Sequence, residues 1–215
     1  MRENVLVPLC RLLPSVRSVE VRSDRVVDGW GKDQYWVGFP RIVDALKAGS
    51  RPLCGPPVER DPKLVTLTLR EAEHYPLRNS KVGGWGAAAN SLRERGLEVL
   101  IIPDAARAGH DVSDGAVLAA RDLQYRAVLY SRAALNVGIS NGPMWMSIFM
   151  DAPTLMLRPT TNADGGCYDD AFYARFGVRR GEQLPRSPLH QRLAWEEDTK
   201  DNIVRAVEEM LCHVK

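Results

Sequence analysis

Apolar residues recur along this chain in two alternating rhythms. LVTLTL at residues 64 to 69 is β-branched and apolar throughout, as a buried strand is. After a polar loop, Val82, Trp85, Ala89 and Leu92 return at the spacing of one helix face, with Ser80 placed to cap that helix and Gly96 to stop it. LEVLII at 97 to 102 is the next strand and ends at Pro103-Asp104. This makes one βαβ unit, for which a right-handed crossover is expected. The rhythm continues with a helix over 123–134, a strand over 136–140, a helix over 143–150 and a strand over 153–157. Beyond a glycine-rich loop, NADGGCYDD, lie an aromatic helix at 169–176 and a short strand, LAW, at 193–195. A last helix starts at Asp198 or Thr199 and carries Ile203, Val204, Val207, Met210 and Leu211 on one face. Short apolar strands alternating with amphipathic helices predict an α/β fold: a Rossmann-like parallel sheet with helices on both faces.

The first 60 residues read differently. Short apolar pieces, VLVPLCRLL and VRSVEVR, precede the aromatic segment DGWGKDQYWVGFP and a helix at RIVDALKAG. Prolines and a glycine then crowd into RPLCGPPVERDPK, a linker by composition. The expected division is a small α/β amino-terminal part at 1–60 and the regular α/β domain at 61–215.

Composition narrows the function classes. An apolar share of 45% and a charged share of 26% are those of a water-soluble globular protein. The net charge of +2 gives no global reason to expect nucleic acid or an acidic membrane as partner. Cys10, Cys54, Cys167 and Cys212 form no Cys-x-x-Cys pair, so neither a zinc site nor a dense disulfide framework is indicated. No run approaches the roughly 20 apolar residues of a membrane span, and the amino terminus lacks a signal-cleavage pattern. A cytoplasmic location is the expectation.

Open parallel sheets bind ligands at the carboxyl ends of their strands, and three polar loops follow predicted strands here. The first offers Arg70, Glu71, His74, Arg78, Asn79 and Ser80. Arginines at a strand end and at the mouth of the next helix can grip a diphosphate through paired guanidinium contacts. Equally, Arg70 can pair with Glu71 or Glu73, and Arg78 can be solvated. The second loop, Ser140, Asn141, Gly142, Pro143 and Met144, opens a helix whose unpaired N–H groups carry about half a positive charge. Any well-capped βα turn shares that property. The third supplies Arg158, Thr160, Thr161 and Asn162, which can reach a sugar or phosphate. Asp164, Asp169 and Asp170 in the same loop lack any metal-loop spacing, so they read as a solvated loop and a helix cap, and no metal is expected.

The helix opening SKVGGWGAAAN carries three glycines, each costing about 1 kcal/mol against alanine. They suit close approach of a neighbouring strand or a ligand. Their spacing matches neither the dinucleotide fingerprint nor the Walker pattern. Histidines stand scattered at 74, 110, 190 and 213, and there is no Gly-x-Ser-x-Gly elbow. Glu71 and His74 are the weak candidates for acid–base work.

The run AALNVGISNGPMWMSIFMDAPTLML resembles the nucleotide-sugar-binding half of GT-B glycosyltransferases, especially the heptosyltransferase-like family. Members carry a similar strand, a Ser/Asp-Gly-Pro-Met-His-type turn, a helix and a strand opening with proline. VTLTLREAEHYPLRNS looks like the Arg-bearing first strand of GT-B fucosyltransferases. This chain departs from the heptosyltransferase-like turn at Asn141 and Trp145, where an acidic residue and a histidine are common. The resemblance implies that Ser140 to Met144 line a donor diphosphate and sugar, with Arg70 and Arg78 opposite and the base over Pro103 and Asp104. It implies a nucleotide-sugar substrate, an unknown acceptor and no separate cofactor. The amino-terminal part would then be a reduced or truncated acceptor domain, with a homo-oligomer covering its apolar edge. Two alternatives stay open: a catalytically inactive nucleotide-sugar-binding or interaction module, and a sugar-nucleotide epimerase or hydrolase.

Overall fold

A computed structural model describes residues 56–73, 76–104, 114–157, 170–174, 178–184 and 187–213. The amino-terminal apolar pieces and helix, the linker up to residue 55, His74 and the third polar loop up to residue 169 fall outside these residues.

Five strands are described: β1 (Asp61–Thr68), β2 (Glu98–Ile102), β3 (Ala133–Ile139), β4 (Thr154–Leu157) and β5 (Gln191–Ala194). Six helices accompany them: α1 (Val82–Glu94), α2 (Asp114–Arg121), α3 (Leu123–Arg132), α4 (Gly142–Phe149), α5 (Asp170–Ala174) and α6 (Lys200–His213). The strands form one sheet in the order β2-β1-β3-β4-β5, and every pairing is parallel. The fold is α/β and Rossmann-like. The chain steps outward from β1 to β2, then crosses back to β3 on the other side of β1. That reversal opens a crevice above the carboxyl ends of β1 and β3.

Strand alternation sorts the core into two layers. Val65, Leu67 and Leu69 join Leu135, Val137, Ile139, Leu155 and Leu157 beneath α1 and α6. The other face of β1 packs through Leu64 against α2, α3 and α4, with Ala119, Ala127, Tyr130 and Met146. A third cluster, Met144, Trp145, Ile148, Met156, Tyr173 and Leu193, closes the sheet under α4 and α5. Burying each large apolar side chain contributes about 1.5–3 kcal/mol, so these layers supply most of the drive to fold.

The expected stop at Gly96 forms in the structure. Gly96 takes φ +84°, its N–H donates to the Arg93 carbonyl and that of Leu97 to the Leu92 carbonyl, closing the last turn of α1 in a Schellman motif. The start of α1 differs from the expectation for Ser80. The cap position is Lys81, which makes no side-chain cap bond, while the Ser80 hydroxyl accepts from the Arg70 N–H at 2.9 Å. Asp198, fully buried, performs the capping from a distance. Its Oδ2 accepts from the Lys81 N–H at 2.9 Å and from Trp85 Nε1 at 2.8 Å. A carboxylate at a helix amino end also complements the helix dipole. The same contact explains one of the three helix glycines: a Cβ on Gly84 would lie 3.2 Å from the Asp198 carbonyl, whereas Gly83 and Gly86 face open space.

Strand boundaries move by a few residues. β3 begins at Ala133 rather than 136, because the end of the preceding helix reads as apolar as the strand it enters. Helix α2 is a difference from the expected elements: DGAVLAAR is short and alanine-rich, and it carries no long apolar stripe to signal a helix. Among the described residues no helix is long and apolar enough to cross a membrane.

Candidate functional site

The turn Ser140–Pro143 stands at the carboxyl end of β3, where the sheet order reverses. Asn141 is the N-cap of α4: its Oδ1 accepts from the Met144 N–H at 3.0 Å, and Pro143 occupies the first turn. That geometry follows from the sequence, since asparagine favours capping and proline forfeits no needed N–H there. It also uses up donors. Met144 gives its N–H to Asn141, Pro143 has none, and no acceptor for the Gly142 N–H lies among the described residues. The Ser140 hydroxyl is buried without a hydrogen-bond partner.

Gly138 lets this helix approach so closely. A Cβ there would fall 2.7 Å from Met144 Cγ and Sδ and 3.0 Å from the Thr68 carbonyl. A side chain there would displace the buried Met144 side chain from between the first turn of α4 and the sheet.

The first polar loop meets the turn through Arg78. This residue, 8% exposed at the end of a short 3-10 turn (Pro76–Arg78), donates from Nη2 to the Ser140 carbonyl at 3.3 Å. Arg70 is 6% exposed and donates from Nη1 to Asn79 Oδ1 at 2.5 Å. Asn79 in turn pairs with the Ala72 backbone in both directions, through Oδ1 at 3.1 Å and Nδ2 at 2.9 Å. Arg70, Asn79 and Ser80 therefore hold the loop together from within. Glu71 donates its N–H to Asp104 Oδ2 at 3.3 Å, linking the loops after β1 and β2.

A cleft of about 250 Å³ opens beside the turn. Leu69, Ala120, Leu123 and Met146 give it apolar walls, while Asp104, Arg126, Asn141 and Gly142 contribute its polar groups, with Pro103 and Pro143 between them. Pro103, Asp104, Asn141, Gly142 and Pro143 thus share one cavity. Arg70 and Arg78 are not among its lining residues.

Arg126 was not a sequence candidate. It lies on α3 with its side chain 4% exposed, among the buried Ala127, Leu129 and Tyr130 of the same helix. Its Nε donates to the Ala119 carbonyl and ties α3 to α2. No carboxylate among the described residues forms an ion pair with it. The signal for it was an arginine falling on the apolar stripe of an amphipathic helix, three residues before Leu129 and four before Tyr130.

Tyr130 stands on the helical face below. Its hydroxyl hydrogen-bonds Thr68 Oγ1 at 2.7 Å, and burial pushes its pKa above the ordinary tyrosine value, with the Arg126 charge and the Thr68 bond pulling the other way. Beneath it Asn136 accepts from Thr66 Oγ1 at 2.7 Å and donates to the carbonyls of Tyr130 and Pro153 at 2.9 and 3.0 Å.

The remaining candidates have other surroundings. Arg158, Thr160, Thr161, Asn162, His74, Asp164 and Asp169 lie outside the described residues. Asp170 is in an ion pair with Arg180 at 3.0 Å. His190 faces Asp151, its Nε2 at 2.9 Å from Oδ1, in the loops that precede β5 and β4, away from the cleft. Comparison with protein-family models, with curated proteins and with solved structures gives no significant match.

Proposed function

We propose that this domain binds a nucleoside-diphosphate sugar in the cleft beside the Ser140–Pro143 turn and acts as the donor-binding half of a glycosyltransferase-like enzyme. One observation carries the reading: apolar walls and the amino end of α4 share a cavity at the strand reversal of a parallel sheet. Leu69, Leu123 and Met146 suit a flat ring, Asp104 suits ribose or sugar hydroxyls, and the α4 terminus suits a phosphate. In transfer, an acceptor hydroxyl oxygen bonds to the anomeric carbon as the bond from that carbon to the diphosphate oxygen breaks, and the hydroxyl proton passes to the departing diphosphate. The electron pair departs on the diphosphate, where fixed positive groups stabilise it without a metal ion.

Calorimetry with a panel of nucleotide sugars tests this reading. At least one should bind, and Leu123→Trp, which adds an indole to the cleft wall, should weaken it by about ten-fold or more. Absence of binding by every member at millimolar concentration rejects the proposal. A binding module without transfer is the second reading. It is favoured by Asp104 being the one carboxylate among the described lining residues and by its bond to the Glu71 N–H. Donor binding with no transfer to any acceptor hydroxyl distinguishes it.

A further inference from the structure

Resting on the reading of the cleft as a nucleotide site, we propose that its phosphate group is held between Arg126 and the amino end of α4, in a subsite that does not use Arg70 or Arg78.

Arg126 is a cation at 4% exposure in a wall that otherwise consists largely of apolar side chains. An isolated buried charge is costly, and buried guanidinium groups are ordinarily paired with an anion. Here Nε meets the Ala119 carbonyl, and the two terminal nitrogens have no acceptor among the described residues. The Tyr130 phenol is no counter-ion, because burial keeps it protonated. The partner that the guanidinium lacks among the described residues is one that a ligand can bring.

The second element is independent of the first. The Gly142 N–H has no acceptor among the described residues, and the positive end of the α4 dipole reaches the same cavity. A guanidinium offers two parallel N–H bonds to a pair of phosphoryl oxygens, and a helix amino end offers one more to a third. Asp104 repels an anion but lies at the end of β2, two strands from β3 and so about 10 Å across the sheet. Its carboxylate therefore orients the ligand, with phosphate toward α4 and hydroxyl groups toward β2.

Inorganic pyrophosphate is the probe, titrated by calorimetry and by phosphorus NMR at constant ionic strength. Arg126→Gln should weaken it by at least about ten-fold. Arg132→Gln removes the same charge at the far end of α3, where it pairs with Asp61, and should leave affinity unchanged. A second pair of variants serves should loss of the Ala119 bond unfold Arg126→Gln. Gly142→Pro deletes the N–H while Gly142→Ala keeps it, and nothing lies within 4 Å of the added Cβ. Proline should weaken pyrophosphate binding and alanine should not. Equal affinity in folded Arg126→Gln and the parent, or in the two Gly142 variants, overturns the proposal. Pyrophosphate binding that depends on Arg126, without binding of any nucleotide sugar, leaves the anion subsite standing and removes the donor reading. Nucleotide-sugar binding indifferent to both sites does the reverse.

Discussion

The two faces of the sheet are built from the same strands and bury opposite chemistries. Under α1 and α6, β1, β3 and β4 present Val65, Leu67, Leu135, Val137, Leu155 and Leu157, an unbroken apolar layer. Under α2, α3 and α4 the intervening positions include Thr66, Thr68, Asn136 and Thr154, all at most 1% exposed, joined to Tyr130 and Ser147 by hydrogen bonds. An apolar layer needs only volume and shape to be right. A buried polar layer needs every donor matched, which fixes the positions of α3 and α4 relative to the strands. The cleft opens on the polar side, between the helices that such matching holds in place.

Substitutions can break that contrast by different routes. The largest effect is expected for Trp85→Ala on the apolar side. Trp85 is fully buried and its indole N–H donates to Asp198 Oδ2, so the substitution leaves a cavity and removes one of the two donors described for that buried oxygen. Urea denaturation should show a loss of about 3–5 kcal/mol, with the cleft unaffected in a folded sample. Next comes Asn136→Ala on the polar side, which leaves the Thr66 hydroxyl and the Tyr130 and Pro153 carbonyls short of a partner. A loss of about 2–3 kcal/mol is expected, and, unlike Trp85→Ala, a weakening of ligand binding as α3 loosens. A loss below about 0.5 kcal/mol would refute the role given to the polar layer.

The smallest effect at neutral pH is that of Tyr130→Phe, about 1 kcal/mol for the bond to Thr68. Its value lies in the pH dependence. Burial raises the folded-state pKa above the ordinary 10.0, so the folded chain retains a proton that the unfolded chain releases. The contribution is whole below pH 10 and falls away above it, at up to about 1.4 kcal/mol per pH unit until the folded-state pKa is reached. Thermal melts from pH 9 upward should show that alkaline loss in the parent and less of it in Tyr130→Phe. Identical slopes would show that Tyr130 does not report the burial of this face.

Periodicity was enough to locate β1, α1, β2, α4, β4 and α6, because each carries its own apolar stripe and its own stop signal. Gly96 and the Asn141–Pro143 cap are local, and they could be read from neighbours in the chain. Ser80 looked equally local as a cap, yet its hydroxyl serves Arg70, and α1 is capped by Asp198, 117 residues away from Lys81. The arginines at the first loop likewise resembled ligand contacts by position, and their described bonds run to Asn79 and to the Ser140 carbonyl.

The layered α/β fold and the turn at the end of β3 are written in local sequence, since hydrophobic period, capping and proline placement act over a few residues. Which arginine lines the cleft beside that turn is a matter of tertiary packing. Arg126 is 15 residues before Asn141 and reads as part of an ordinary helix; it becomes a cleft residue because α2, α3 and α4 pack on the polar face of the sheet. Charge acts through space, and spatial neighbours across a sheet are set by strand order rather than by distance along the chain.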